Sequence, residues 1–159
     1  MGSGTLPLVV SPIINNITVS KMLVDGGSSI KLISAVLMDK LQISEAQLLP
    51  TSPFQGVSLV AVQPLGKLVL LVTFGPKEKY HTKNVMVDVS EIPLPYHGLL
   101  GRSALAKFMA VMHHTYNVLK IPTTWGVLTV KPDVKDAVAC IKQTFQALAA
   151  ATPGGRGLM

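Results

Sequence analysis

One carboxylate in the sequence lies where a short apolar run meets a glycine-rich turn. The run Met22-Leu23-Val24 leads directly into Asp25-Gly26-Gly27-Ser28-Ser29. A buried strand that ends in such a turn can hold a polar side chain rigidly in a cleft, where a carboxylate can act as a general acid or base. Asp25 is therefore the leading candidate for a catalytic residue, with a simple turn-capping role as the alternative.

Other kinds of site find little support in the sequence. The turn after Asp25 lacks the Gly-Lys-Ser/Thr that a phosphate-binding loop requires. Cys140 is the only cysteine, which excludes an internal disulfide and a cysteine-cluster zinc site, and we expect it to be buried. His113 and His114 are adjacent in a strand-like segment, so their side chains should point to opposite faces. We expect no metal and no cofactor.

Composition sets the broad class of the protein. The 159 residues are 48% hydrophobic and 14% charged, which fits one domain with a real core. The net charge is +6, but the basic residues are scattered and only 5% of residues are aromatic, so we do not expect a nucleic-acid partner. No apolar stretch approaches the roughly 20 residues of a membrane span, and we expect no membrane partner. The expected location is intracellular and cytoplasmic.

The elements that must position Asp25 are predicted to be mostly β. Residues with β-branched side chains predict two or three short strands over Leu6–Val24. Apolar residues three to four apart predict a helix over Ile30–Leu41. Alternating apolar residues predict a long β-hairpin over Phe54–Gly75, with a turn over Gly75–Lys79 and a further strand over Val85–Val89.

The second half of the chain contains a similar pattern of short elements. Leu99-Leu100-Gly101-Arg102 is a second apolar run that ends in glycine. The other predicted elements are a short helix over Ser103–Met109, strands over Val111–Ile121 and Val127–Lys131, and a last helix from Pro132 with an apolar face of Val134, Ala137, Val138, Ile141, Phe145 and Leu148. We expect that face to pack on the chain itself.

Two motifs and the segment between them resemble the proteases of plant gypsy-type retrotransposon polyproteins, which are retropepsins. In that family an apolar-apolar-Asp-x-Gly-Ser-Ser loop leads into a short helix, and Leu23–Ser29 matches the loop. A flap hairpin follows, similar to Phe54–Phe74. About 75 residues after the aspartate comes an apolar-apolar-Gly-Arg motif, which Leu99–Arg102 matches. The resemblance covers roughly Leu6–Gly126 and implies a mostly β, retropepsin-like acid-protease barrel with a flap hairpin and two or three short helices.

The resemblance implies an aspartic endopeptidase. Hydrolysis by this route needs two carboxylates that share one proton, one acting as a base toward water and the other donating to the carbonyl oxygen. Only one of the eight acidic residues has an Asp-x-Gly setting, so a second copy of the chain must supply the other carboxylate. The implied site residues are Asp25 as the catalytic residue, Gly26, Gly27, Ser28 and Ser29 in the active-site loop, Val57, Ser58, Leu59, Val60 and Ala61 in the flap against the substrate, and Leu100, Gly101 and Arg102 in a structural second motif.

The implied partners are a second copy of the chain and a polypeptide substrate. In the family the substrate is the polyprotein of the element, in which a reverse transcriptase domain commonly follows the protease. The expected organisation is a disordered start at 1–5, the protease domain at 6–126, a C-terminal strand and helix extension at 127–150, and a flexible tail at 151–159.

Two positions depart from the family pattern. The residue after the catalytic Asp is usually Thr or Ser, whose hydroxyl bonds across the dimer, and this chain has Gly26 there. The flap tip is usually glycine-rich, and Val57–Gln63 contains no glycine. We therefore expect a weaker dimer or a slower enzyme. A catalytically decayed domain that serves as a dimerisation or structural module is the second hypothesis, and a basic domain associated with nucleic acid is the third.

Overall fold

The computed structural model describes residues 6–50, 64–91 and 95–151. In these ranges the chain forms eleven strands, three α-helices and a 3₁₀ turn at Glu45–Gln47. The strands are β1 (Leu8–Val10), β2 (Ile13–Ile14), β3 (Ile17–Thr18), β4 (Met22–Val24), β5 (Lys31–Ser34), β6 (Gly66–Phe74), β7 (His81–Ser90), β8 (Gly98–Leu100), β9 (Val111–His113), β10 (Val118–Thr123) and β11 (Gly126–Val130). The helices are α1 (Ala35–Lys40), α2 (Arg102–Lys107) and α3 (Val134–Ala151).

The strands form two sheets. The larger sheet has eight strands in the order β1-β4-β8-β5-β7-β6-β2-β3, and the smaller sheet has three in the order β11-β10-β9. In the larger sheet β4 and β8 run parallel, β5 lies antiparallel to β8, and β5 runs parallel to β7. Because β4 and β8 have neighbours on both sides, hydrogen bonds fix the positions at which these two strands end. The predicted mostly β architecture is confirmed, with four short N-terminal strands where two or three were expected.

The longest hairpin joins β6 to β7. Every second residue of β6, from Gly66 to Phe74, is buried, which is the alternation that a strand with one face on the core requires. The chain then turns at Gly75, whose φ of 105° favours glycine. The predicted turn over Gly75–Lys79 is therefore confirmed. The first arm of the hairpin predicted over Phe54–Gly75 lies largely outside the described residues.

The helix predicted over Ile30–Leu41 is wrong in its first half. Lys31–Ser34 forms β5, and the helix begins only after Ser34, whose Oγ accepts a hydrogen bond from the amide of Leu37 at 3.1 Å. Strand β5 is paired on both edges, and its residue Ile33 is fully buried. The apolar spacing fits a helical face, but pairing with two neighbouring strands satisfies the backbone of β5 equally well and buries Leu32 and Ile33.

The C-terminal helix α3 packs through small residues. The amide of Asp133 donates to a carbonyl of β1 at 2.7 Å, which brings the start of α3 to this edge of the large sheet. Ala137 and Cys140 are buried there, whereas Val134 is 54% exposed and Val138 is 37% exposed. The predicted apolar face is therefore wrong for the two valines, because the close approach of α3 to the sheet selects smaller side chains. The predicted burial of Cys140 is confirmed, and burial raises the pKa of its thiol.

The core lies between the large sheet, α1, α2 and the small sheet. Phe108, which follows α2, is buried and meets Phe74 of β6 edge to face, with ring centroids 5.1 Å apart. Leu119 and Ile121 of β10 are fully buried against the same cluster. This packing ties the segment after α2 to the body of the protein. Among the helices in the described ranges, none is long and apolar enough to cross a membrane.

Candidate active site

Two parallel strands end side by side beneath the candidate site. Strands β4 and β8 pair in a register that sets Val24 opposite Leu100. The amide of Asp25 continues this pairing by donating to the carbonyl of Leu100 at 3.1 Å. The two apolar runs that end in glycine-containing turns are therefore neighbours in space. Asp25 leaves the sheet next to Gly101.

The loop after β4 is closed by its own hydrogen bonds. The Oδ1 atom of Asp25 accepts a bond from the amide of Gly27 at 3.0 Å, and the carbonyl of Asp25 accepts one from the amide of Ser28 at 3.2 Å. The Oγ atom of Ser28 accepts a bond from the amide of Ile30 at 3.0 Å. Ser28 thus acts as a turn residue inside one chain. Ser29 is exposed on the same loop.

Gly101 holds the second motif against this loop. A Cβ atom at Gly101 would lie 2.3 Å from the carbonyl oxygen of Ile30 and 2.5 Å from that of Ser28. The next amide, that of Arg102, donates to the carbonyl of Ser28 at 2.7 Å. Because a side chain at 101 would push the two segments apart, glycine at this position is what allows that hydrogen bond to form.

Asp25 is exposed and borders two cavities. The larger is open, has a volume of about 670 Å³ and lies between the Asp25 loop, α2 and β9. The smaller has a volume of about 310 Å³ and lies toward β1. Besides Asp25, Gly26 and Gly27, the larger cavity is lined by Arg102, Leu105, Ala106, Ala110, Val111, Met112 and His114.

Sequence reasoning missed the wall that faces Asp25. Met112 and His114 line both cavities together with Asp25. They follow it by more than eighty residues, and Met112 lies on β9, which is held in place by its pairing with β10. No local motif marks these two positions in the sequence. The one available signal was that they lie a few residues beyond the end of the helix that the second motif begins.

Arg102 contributes to the site mainly through its backbone. Its side chain is exposed on the rim of the larger cavity. Within residues 6–50, 64–91 and 95–151 its guanidinium has no hydrogen-bond or ion-pair partner. Its amide joins the two motifs, through the bond to the carbonyl of Ser28.

The cavities contain one carboxylate. All eight acidic residues of the sequence fall in the described ranges, and Asp25 alone among them lines either cavity. His113 is turned toward Tyr116, with ring centroids 4.9 Å apart. Among the described residues no group of three or more His, Cys, Asp or Glu side chains could hold a metal ion. The predicted flap residues Val57–Ala61 lie outside the described part of the chain.

Solved structures share this architecture at low sequence identity. The retroviral protease-like domain of Ddi1 from Leishmania major superposes with a TM-score of 0.60 and 15% identity, over 80% of this chain and 94% of that domain. A retropepsin-like aspartic protease from Rickettsia conorii gives a TM-score of 0.51 and 20% identity, over 78% of this chain and 81% of its own. This chain has a retropepsin-like fold. EIAV protease, solved in complex with the inhibitor HBY-793, gives a TM-score of 0.51 and 18% identity, over 71% of this chain and 98% of its own.

The retropepsin-like fold predicted from the two motifs is thus confirmed by the architecture. No family model and no curated protein matches the sequence. The likeness is one of backbone arrangement, because identity to these three structures is between 15% and 20%. In this fold the chain presents Asp25 at the end of β4, supported from below by Gly101.

Proposed function

We propose that the chain is an aspartic endopeptidase that works as a homodimer, with Asp25 of each copy supplying one catalytic carboxylate. The observation that carries the proposal is Asp25 itself. It is exposed at the end of an inner strand, in a glycine-rich loop, in a chain with a retropepsin-like fold. A carboxylate used only to cap its turn would not need to face an open cavity.

The single chain lacks the second carboxylate that the reaction needs. In acid proteolysis one carboxylate accepts a proton from water and the other donates a proton to the carbonyl oxygen of the substrate. The seven other acidic residues are absent from both cavities. A two-fold pairing of chains brings two identical loops together and supplies the missing group without any further residue.

The surface around Asp25 suits contact with a second copy. Met109 is 67% exposed and Val111 is 64% exposed, and Val111 lines the larger cavity. Neighbouring apolar side chains exposed in this way favour burial by a partner. Gly27 is also exposed and presents no side chain that would keep a second loop at a distance.

Pairing would also prepare the two carboxylates for their different roles. Two carboxylates about 3 Å apart cannot both ionise easily, so their pKa values separate and the pair retains one proton over a wide pH range. The ionised member then acts on water and the protonated member on the carbonyl oxygen. The bond from Gly27 to Oδ1 of Asp25 orients the carboxylate in advance.

The substrate we propose is an extended polypeptide, and the finer proposal is the polyprotein of a plant gypsy-type retrotransposon. The support for the finer proposal is the resemblance of the loop at Leu23–Ser29 and of the second motif at Leu99–Arg102 to that family. In such a precursor the products would include the protease itself and a following reverse transcriptase domain.

The test compares the full chain with Asp25→Asn on a pool of unfolded proteins at mildly acidic pH. New chain ends are counted by mass spectrometry at protein concentrations that favour the dimer. Asn keeps the acceptor for the Gly27 amide but cannot give up a proton, so we expect cleavage to fall at least about 100-fold. Asp39→Asn, an exposed aspartate on α1 away from both cavities, is the matched control and should cut like the wild type.

Mixing the two proteins tests the homodimer. If both carboxylates are needed, adding Asp25→Asn chains to wild-type chains should lower activity as the square of the wild-type fraction. Equal cleavage by Asp25→Asn and wild type would refute the assignment of Asp25. A wild-type chain that forms dimers but cuts nothing would instead support the decayed module, the hypothesis that Gly26 favours because it removes a hydroxyl from the loop.

A further inference from the structure

The Asp25 loop has a weakly held point at Gly26. The residues on either side are fixed by hydrogen bonds, from Asp25 to Leu100 and from Gly27 to the Asp25 carboxylate. Gly26 has no side chain, and within the described part of the chain its backbone takes part in no hydrogen bond. Two consecutive glycines would leave such a loop free to sample many conformations.

A methionine from another element occupies the space beside Gly26. A Cβ atom built on Gly26 would lie 3.3 Å from Sδ of Met112 and 3.8 Å from Cδ1 of Leu105. The first distance is tighter than an ordinary van der Waals contact, so the thioether crowds the position that a Cβ atom on residue 26 would take. Gly26 has no side chain and, among the described residues, no hydrogen bond to hold it, so the packing of Met112 and Leu105 against it supports the loop instead.

Both supporting side chains belong to well-anchored elements. Met112 lies on β9, and its register partner on β10 is Leu119, which is fully buried. Met112 is itself partly buried against the main core. Leu105 is a buried residue of α2, the helix that begins directly after Gly101. A site supported by strands and helices is held more accurately than one supported by loops.

Met112 is also close to the reacting group, because it lines both cavities that Asp25 borders. We propose that Met112 is a positioning residue, whose thioether fills the space left by Gly26 and thereby holds the Asp25 carboxylate at the distance that pairing with a second carboxylate requires. The catalytic part of this inference rests on the proposed function. The support of the loop by Met112 does not.

The test uses Met112→Ala, Met112→Leu and a matched control, Met86→Ala, in the full chain. Met86 is also a partly buried methionine on a strand, but it lies on β7 opposite Val69, away from Asp25. The first measurement is amide hydrogen exchange at Gly27 and Ser28, whose amides donate hydrogen bonds to Asp25, and it needs no activity. We expect faster exchange there in Met112→Ala alone, with exchange in β6 and β7 unchanged, and near-normal exchange in Met112→Leu, which refills the space.

The second measurement separates kcat from KM. A misplaced carboxylate slows the chemical step, so Met112→Ala should lower kcat by between about 10- and 100-fold while KM changes little. Met112→Leu should recover most of the rate. Adding Gly26→Ala to Met112→Ala should restore part of both the exchange protection and the rate, because the new methyl group occupies the emptied space. Gly26→Ala alone requires the thioether of Met112 to move by a few tenths of an ångström.

The outcomes distinguish this inference from the proposed function. Loop exchange in Met112→Ala that matches Met86→Ala would overturn the inference, whatever the activity. Gly26→Ala and Met112→Ala effects that simply add would overturn it as well, since they would show that the two residues do not share one space. If no variant or wild type cuts, yet loop exchange responds to Met112→Ala and is rescued by Gly26→Ala, the support of the loop stands and the proposed function fails.

Discussion

At two adjacent places in the large sheet the chain passes from the end of a strand into a glycine-containing turn. These two strand-to-glycine passages have different roles. After β4 the chain enters Asp25-Gly26-Gly27, where Asp25 and Gly27 are exposed. After β8 it enters Gly101, which is buried against the carbonyl oxygens of Ser28 and Ile30. The first passage opens to a cavity, and the second closes against the first.

The difference shows what requires glycine at each place. Neither Gly27 nor Gly101 has the positive φ that favours glycine, so conformational freedom is not the reason at either position. A Cβ at Gly101 would lie 2.3 Å from the carbonyl oxygen of Ile30, whereas the nearest atom to a Cβ at Gly27 would be Oδ1 of Asp25, at 3.5 Å. Packing inside one chain therefore requires glycine at 101. Nothing within the described residues requires glycine at 27. In the proposed homodimer, close approach of the second copy would require it.

The largest expected effect is that of Gly101→Ala on folding. The new methyl group would meet two backbone oxygens that cannot move without breaking the loop, so we expect the free energy of unfolding to fall by about 3 kcal/mol or more. Urea unfolding followed by far-ultraviolet circular dichroism measures it. Gly27→Ala makes the same chemical change in the other passage, and its free energy of unfolding should lie within about 0.5 kcal/mol of the wild-type value. Equal losses of unfolding free energy in the two variants would contradict the conclusion that packing inside one chain requires glycine at 101 and not at 27.

A smaller effect is expected from Gly27→Ala on assembly. If the second copy approaches this residue closely, one added methyl group should weaken the dimer while each chain stays folded. Sedimentation velocity over a range of concentrations should then show dissociation at concentrations where the wild type is still paired. Cleavage per chain should fall most at low concentration and recover as concentration rises. Unchanged pairing and unchanged cleavage would mean that Gly27 is not a contact between copies.

Much of the site could be predicted from the sequence because its parts are local. The apolar run before Asp25, the turn after it and the similar run before Gly101 can each be recognised in a few consecutive residues, whereas their adjacency in space follows from the pairing of β4 with β8. The alternation along β6 is equally local, because a strand with one buried face repeats every two residues.

The parts that could not be predicted depend on distant pairing. Ile33 belongs to an apolar set with helical spacing, and only the strands on either side of it decide that it lies in β5. Val138 has the spacing of a core residue, yet the close approach of α3 to β1 buries Ala137 and Cys140 instead. Met112 reaches Gly26 through the register of β9 with β10. In each case a neighbour that is remote in sequence determines the outcome, and a local pattern carries no information about it.

The smallest expected effect separates the backbone of Arg102 from its side chain. The guanidinium is exposed, whereas the amide donates to Ser28 and so joins the two passages. Arg102→Ala keeps that amide, and the free energy of unfolding should stay within about 0.5 kcal/mol of the wild type. Arg102→Pro is the comparison variant, because it removes the amide donor without breaking the helix. Proline is tolerated at the first position of a helix, and the extended backbone of Gly101 suits the residue before a proline. It removes the donor and sets a ring carbon against the Ser28 carbonyl, so we expect a loss of at least about 1 kcal/mol in the same urea experiment. If Arg102→Ala proved as costly as Arg102→Pro, the guanidinium and not the amide would be what joins the two passages.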